Sequence, residues 1–123
     1  MERRKLDGLA RRLGQLIRED AQAYERLVKA QRQEKGLLQA RRRAIQCPVR
    51  ICEETAEASA QMKSLIRWTG PYLGSDVRAG RALLKGAFEA AFATTAVNLQ
   101  GSHPGPWDLA IQKRLIRLRA EME

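Results

Sequence analysis

From Gly74 to Leu99 the chain runs without proline, is rich in alanine, and opens with Ser75 and Asp76. A hydroxyl followed by an acid is a helix-start signal, because the Ser oxygen can accept from an orphan N–H and the acid meets the positive end of the dipole. The spacing therefore predicts a long helix over 75–99, expected to be the central one. Gly80, Leu83, Ala87, Ala91, Thr94 and Asn98 recur three and four apart and form a stripe of mostly small side chains, beside a bulky stripe of Leu84, Phe88 and Phe92. Small side chains let another helix, or a flat ligand, come close. Asn98 ends the small stripe, and a buried amide left unbonded costs about 1–3 kcal/mol, so it is expected to have a partner.

The remaining segments follow the same period. Over Glu2–Gln33 the rhythm through Leu13, Ile17, Asp20, Tyr24 and Leu27 places a carboxylate on an apolar stripe. Gln31–Gly36 reads as a short connection. A second helical stretch runs from Leu37 to Ile66, and Pro48 inside it is expected to kink or split it near Gln46. Thr69–Gly74 and Gly101–Pro106 are breaker clusters, the second holding His103, which is expected to be exposed. Trp107–Met122 reads as a final amphipathic helix. No period-two alternation occurs anywhere, so the expected architecture is all-α: four or five helices in one bundle, a single domain over 1–123.

A net charge of +9 and a pI near 10.4 favour polyanions, whether nucleic acid, an anionic membrane surface or an anionic small molecule. Apart from Arg41-Arg42-Arg43 the cations are spread along the helices and read mostly as solvated faces. Cys47 and Cys52, five residues apart on a helix, project to different sides and read as buried small hydrophobes, not a disulfide. With no Cys-x-x-Cys and one histidine, a metal site is not expected. No charged-then-apolar leader or spanning apolar run is present, which leaves the cytoplasm as the expected location.

Two places could carry chemistry. Burial raises a carboxylate's pKa, so Asp20 is a general acid/base candidate; the alternative is an acid paired with an arginine of a neighbouring helix. Ser75 and Asp76, with Arg78, Arg81 and Lys85 on the following turns, could gather amide donors and cations around an anion at a helix start. Read structurally, the same residues are an N-cap followed by a solvated face.

Three segments together resemble the deaminase domain of the formiminotransferase-cyclodeaminase family, which also includes bacterial methenyltetrahydrofolate cyclohydrolases. Leu16-Ile17-Arg18-Glu19-Asp20-Ala21-Gln22-Ala23-Tyr24 is similar to the family's helix with a catalytic Asp followed by Ala and an aromatic residue. Ala44 to Ile51 is similar to its helix with a proline followed by aliphatic residues, and Ser75-Asp76-Val77 through Val97-Asn98-Leu99 to its Ser-Asp helix ending in Asn-Leu. Members normally begin with a further helical stretch bearing a Pro-Gly-Gly-Gly-Ser loop that helps hold folate. No such motif occurs here, so the domain is expected to be N-terminally incomplete. Arg18 stands where members often have a second Asp, and Thr94 where they have an Asn.

The resemblance implies an all-helical homodimer that closes 5-formiminotetrahydrofolate to the 5,10-methenyl form and releases ammonia, with no cofactor beyond the tetrahydrofolate that carries the substrate. It implies Asp20 as the catalytic residue, Ser75, Asp76 and Asn98 lining the folate pocket, and Tyr24 stacking on a ring. Arg78, Arg81 or Lys85 would hold a polyglutamate tail. Methenyltetrahydrofolate cyclohydrolase is the alternative within the family, and a noncatalytic remnant that keeps the dimer interface is another. A basic module adhering to nucleic acid is a third; it is not expected, because no recognition helix or aromatic platform for bases accompanies the charge.

Overall fold

The computed structural model describes residues 2–33, 36–67, 70–99 and 105–122. Among them are four helices and no strand: α1 (Glu2–Gln33), α2 (Leu37–Leu65), α3 (Pro71–Leu99) and α4 (Pro106–Glu121). The all-α bundle expected from the apolar period is the fold that forms. None of these helices is long and apolar enough to cross a membrane. His103 lies outside the described residues.

The hub is α2, which touches all three other helices, whereas among the described residues α1 packs on α2 alone. This corrects the central place expected for 75–99. The reason lies in side-chain size: Ala40, Ala44, Cys47, Val49, Cys52 and Ala58 are buried around α2, and small residues on several faces admit several neighbours. On α3 the buried positions are Phe88, Ala91, Thr95 and Leu99, while Leu83, Ala87 and Thr94 of the expected small stripe face outward. That helix is apolar nearly all round, so periodicity does not select which face is covered.

A second correction concerns the start of α3, which begins at Pro71. Proline suits a first helical position because its missing N–H is one of the orphans there. The N–H groups of Leu73 and Gly74 donate to the Gly70 carbonyl at 3.1 and 3.2 Å. Ser75 therefore lies within the helix instead of capping it, and Asp76 lies beyond the first turn. Helix α2 begins after Gly36, whose φ of 63° is a left-handed conformation that glycine adopts without a Cβ clash.

Pro48 does not split α2, which continues through it to Leu65. A proline within a helix has no N–H to give the carbonyl four residues earlier. That carbonyl belongs to Ala44, and the Asn98 amide of α3 donates to it at 3.3 Å. The partner that Asn98 needed is thus the acceptor that Pro48 orphans.

The core gathers Ile45, Val49 and Cys52 of α2, Phe88 and Leu99 of α3 and Leu115 of α4. Helix α4 is oriented by α2: buried Asp108 accepts from the Gly105 N–H at 3.1 Å, half of a capping box, and pairs with Arg41 at 3.4 Å. Arg42 lies over the Trp107 ring at 5.2 Å. Two members of the Arg41–Arg43 run therefore hold α4, which leaves Arg43 for the opposite side of α2.

Both cysteines are buried and unbridged, as their spacing required. Burial first, then the neighbouring Glu53 and Glu89 charges, push the Cys52 thiol up to about 12. Its proton stays on sulfur and points at the Phe88 carbonyl, 3.7 Å away. Burial and the nearby Asp20 and Glu19 likewise raise Cys47. Since the thiolate is the nucleophile, neither thiol should react with a maleimide at neutral pH in the folded chain, and both should react in denaturant. Rapid labelling of Cys52 before unfolding would contradict its place in the core.

Candidate functional site

Helix α1 meets α2 through a seam with a seven-residue repeat. Leu9, Leu16, Ala23 and Ala30 are buried, and half-buried Leu13, Asp20 and Leu27 alternate with them. Alternating steps of three and four are the geometry by which two helices interdigitate. Asp20 thus occupies a position that leucine fills one repeat before and one repeat after. Ile17 and Tyr24, expected on this stripe from their spacing, are 64% and 66% exposed on the flank.

The seam acts on the Asp20 carboxyl in one direction: partial burial raises its pKa above the ordinary 3.8. The arginine expected as a structural alternative goes to its neighbour instead, Glu19 pairing with Arg50 at 3.6 Å. Among the described residues Asp20 makes no ion pair. Its charge is felt at Cys47, which places the carboxyl against the middle of α2. Between the two helices opens a cleft of about 340 Å³, lined by Glu19 and Ala23 on one wall and by Gln46, Cys47 and Arg50 on the other; Asp20 itself is not among its lining residues.

The other expected site residues do not join Asp20 within one chain. Asn98 is level with it along α2, since Ala44 and Cys47 are one turn apart, but Asn98 belongs to α3 and its amide is engaged by the Ala44 carbonyl. Ser75, Asp76 and Arg78 are exposed at the opposite end of α3, about 35 Å of helix from Asn98. Arg81, half-buried, donates to the Ser59 hydroxyl at 3.3 Å, roughly 20 Å along α2 from the Asp20 level. Lys85 is exposed. Tyr24 is not among the residues lining the α1–α2 cleft.

The residues that line this cleft but were missed are Gln22, Arg26, Arg43, Gln46 and Arg50. Their signal was available in the seven-residue repeat. Arg12, Glu19 and Arg26 each precede a half-buried seam position, which is where cross-helix charge pairs form in interdigitated helices. Arg12 pairs with Glu54 at 3.1 Å and Glu19 with Arg50.

Chemically, the arrangement offers one partly desolvated carboxyl able to take and return a proton and, lined by other residues of the same two helices, an open cleft holding Arg26, Arg43 and Arg50. A family model described as formiminotransferase-cyclodeaminase matches residues 3–104, which takes in nearly all of α1, the whole of α2 and α3, and every candidate residue. No curated protein and no solved structure matches the chain significantly.

Proposed function

The chain belongs to the folate-related formiminotransferase-cyclodeaminase family, and from that premise we propose that it is a cytoplasmic cyclodeaminase, a lyase, with Asp20 as its proton shuttle. The substrate is 5-formiminotetrahydrofolate in its protonated, formiminium form, whose nitrogen already carries two hydrogens and needs one more to leave as ammonia. Folate N10 attacks the formimino carbon and gives its proton to Asp20. The carbon–nitrogen bond to the formimino nitrogen then breaks, that nitrogen takes a proton from Asp20, and ammonia leaves with 5,10-methenyltetrahydrofolate as the other product. A carboxyl of raised pKa suits both transfers, because its affinity for a proton lies nearer neutrality than that of a solvated acid.

The observation that carries this reading is the place of Asp20: a half-buried carboxyl on a hydrophobic seam that, among the described residues, makes no ion pair.

The same reading calls for a second copy. Ser75, Asp76 and Arg78 stand too far from Asp20 to line one pocket in one chain, and a homodimer lets one copy's α3 end approach the partner's α1. The outward face of α3, with Leu83 77% and Val97 63% exposed between alanines, supports such an arrangement.

The test is to mix the purified chain with 5-formiminotetrahydrofolate and follow ammonia together with the near-ultraviolet absorbance of the methenyl product. Both should appear in equal amounts. Loss of methenyl absorbance from added methenyltetrahydrofolate would mean the cyclohydrolase reaction instead. No change with either compound, with the helical fold intact and light scattering showing a dimer, would mean a noncatalytic remnant that keeps the dimer interface.

A further inference from the structure

Only residues 34–36 separate α1 from α2. From Gln31 to Lys35 and from Leu37 to Ala40 every residue is a good helix former, and Gly36 alone interrupts them. Its φ of 63° makes the turn. The start of α2 is otherwise weakly made: Gly36 has no side chain to cap it, and its first turn holds no acid. Leu37 and Leu38 stand side by side there, 46% and 62% exposed.

The apolar repeat ignores this break. Leu9, Leu16, Ala23 and Ala30 are the buried seam positions of α1, and the same seven-residue step continues to Leu37 and Ala44. The two helices run antiparallel, since Arg12 pairs with Glu54 and, further along α1, Glu19 pairs with Arg50. Among the described residues α1 has no neighbour but α2. Every contact it makes is therefore available from the α2 of a second copy, and the turn at Gly36 is all that makes the pairing internal.

We infer that this chain pairs with a second copy by exchanging α1. Gly36 passes from the left-handed to the right-handed helical conformation, and α1 and α2 join into one helix over 2–65, roughly 95 Å long. Two such helices lie antiparallel, and each α1 docks on the partner's α2 through the seam described above. The exchange gives back the contacts that opening removes. It adds a crossing point, where Leu37 and Leu38 of both copies come together out of water. The shortness of the connection favours it, because a hairpin must close tightly over a few residues whereas a straight helix need not. Exchange returns Asp20 to the same level of α2, so the inference depends neither on the folate reading nor on a contact through α3, and turnover does not report on it.

The experiment is size-exclusion chromatography with light scattering on the full chain, at low salt and over a series of concentrations. The parent should form a dimer as concentration rises. Gly36→Ala penalises the left-handed turn and favours the continuous helix at both hinges of a dimer, so it should tighten the dimer by roughly 10³-fold. A flexible Gly/Ser insertion of about six residues between Lys35 and Gly36 relaxes the hairpin and breaks the long helix, and should weaken the dimer roughly tenfold or more.

Two variants of unchanged net charge read which surfaces pair: Arg12→Glu with Glu19→Arg on α1, and Arg50→Glu with Glu54→Arg on α2. Each alone sets like charges across its own seam, in the monomer and in the like dimer, whereas a mixed exchanged dimer restores every pair. Mixing fluorescently labelled copies should give mixed dimers in roughly tenfold or greater excess over like ones. A dimer held through α3 would form mixed and like pairs in statistical proportion. A parent monomeric at every concentration, a Gly36→Ala chain dimerising no more tightly than the parent, or a statistical mixture would each overturn the inference. Should Gly36→Ala lose its helical circular dichroism, the insertion and the mixing ratio decide it.

Discussion

Asp20→Asn should lower turnover of 5-formiminotetrahydrofolate by about 10²–10⁴-fold, the range over which a positioned acid/base group contributes, while the chain stays folded. The amide is close in size and can neither take the N10 proton nor return one to the leaving nitrogen. The informative companion is Asp20→Leu. Leucine is the residue of the equivalent seam positions, Leu13 and Leu27, so this substitution should abolish turnover and raise stability by about 1 kcal/mol, as the seam gains apolar contact and loses a partly desolvated charge.

The pH dependence follows from the sign of the shift. The folded chain holds the Asp20 proton more tightly than the unfolded chain, so stability falls as pH rises from the ordinary carboxylate value of 3.8 to the raised one and is level above it. Asp20→Asn removes that decline. Urea denaturation at a series of pH values reads it directly, and an Asp20→Leu chain less stable than the parent at pH 7 would show that Asp20 is not a seam residue.

Asn98→Leu should destabilise the fold by about 1–3 kcal/mol, because the Ala44 carbonyl then has neither a backbone N–H nor a side-chain donor. The particular expectation is that this cost depends on Pro48. In a Pro48→Ala chain the restored N–H at position 48 can reach the Ala44 carbonyl as in any helix, and Asn98→Leu should then cost less by about 1 kcal/mol or more. Unfolding of the four chains followed by far-ultraviolet circular dichroism gives the coupling. The same cost in both backgrounds would mean that Asn98 serves something other than that carbonyl.

These residues show what could be read before the fold was seen. Asp20 was identifiable because an acid recurring with leucines at helical spacing is anomalous wherever the partner lies. Which side of α1 is buried was not, since Leu9 and Leu13 each start an apolar rhythm and only the position of α2 chooses between them. Ile17 and Tyr24 follow the Leu13 rhythm and are left exposed, because α2 covers the rhythm that starts at Leu9. Asn98 announced that it needed a partner, yet the partner comes from a proline far away in sequence, and only the α2–α3 register brings the two together. Gly70-Pro71 carries a loop signal in the sequence, yet the proline is the first residue of α3, since a helix start and a turn use the same dipeptide. Arg26 and Arg43 meet for the same reason as Asn98 and its partner: they are ordinary surface arginines until α1 and α2 lie side by side and bring both to one cleft.

That α1 rests on a single neighbour also says which part of the molecule gives way first. A helix docked through one narrow seam, with half its circumference in water, can peel away without disturbing the α2–α3–α4 core. Its amides should exchange with deuterium through local opening, while those around Phe88 wait for global unfolding. The proposed catalytic acid therefore rides on the loosest leaf of the structure, and any ligand that spans α1 and α2 would act as its latch.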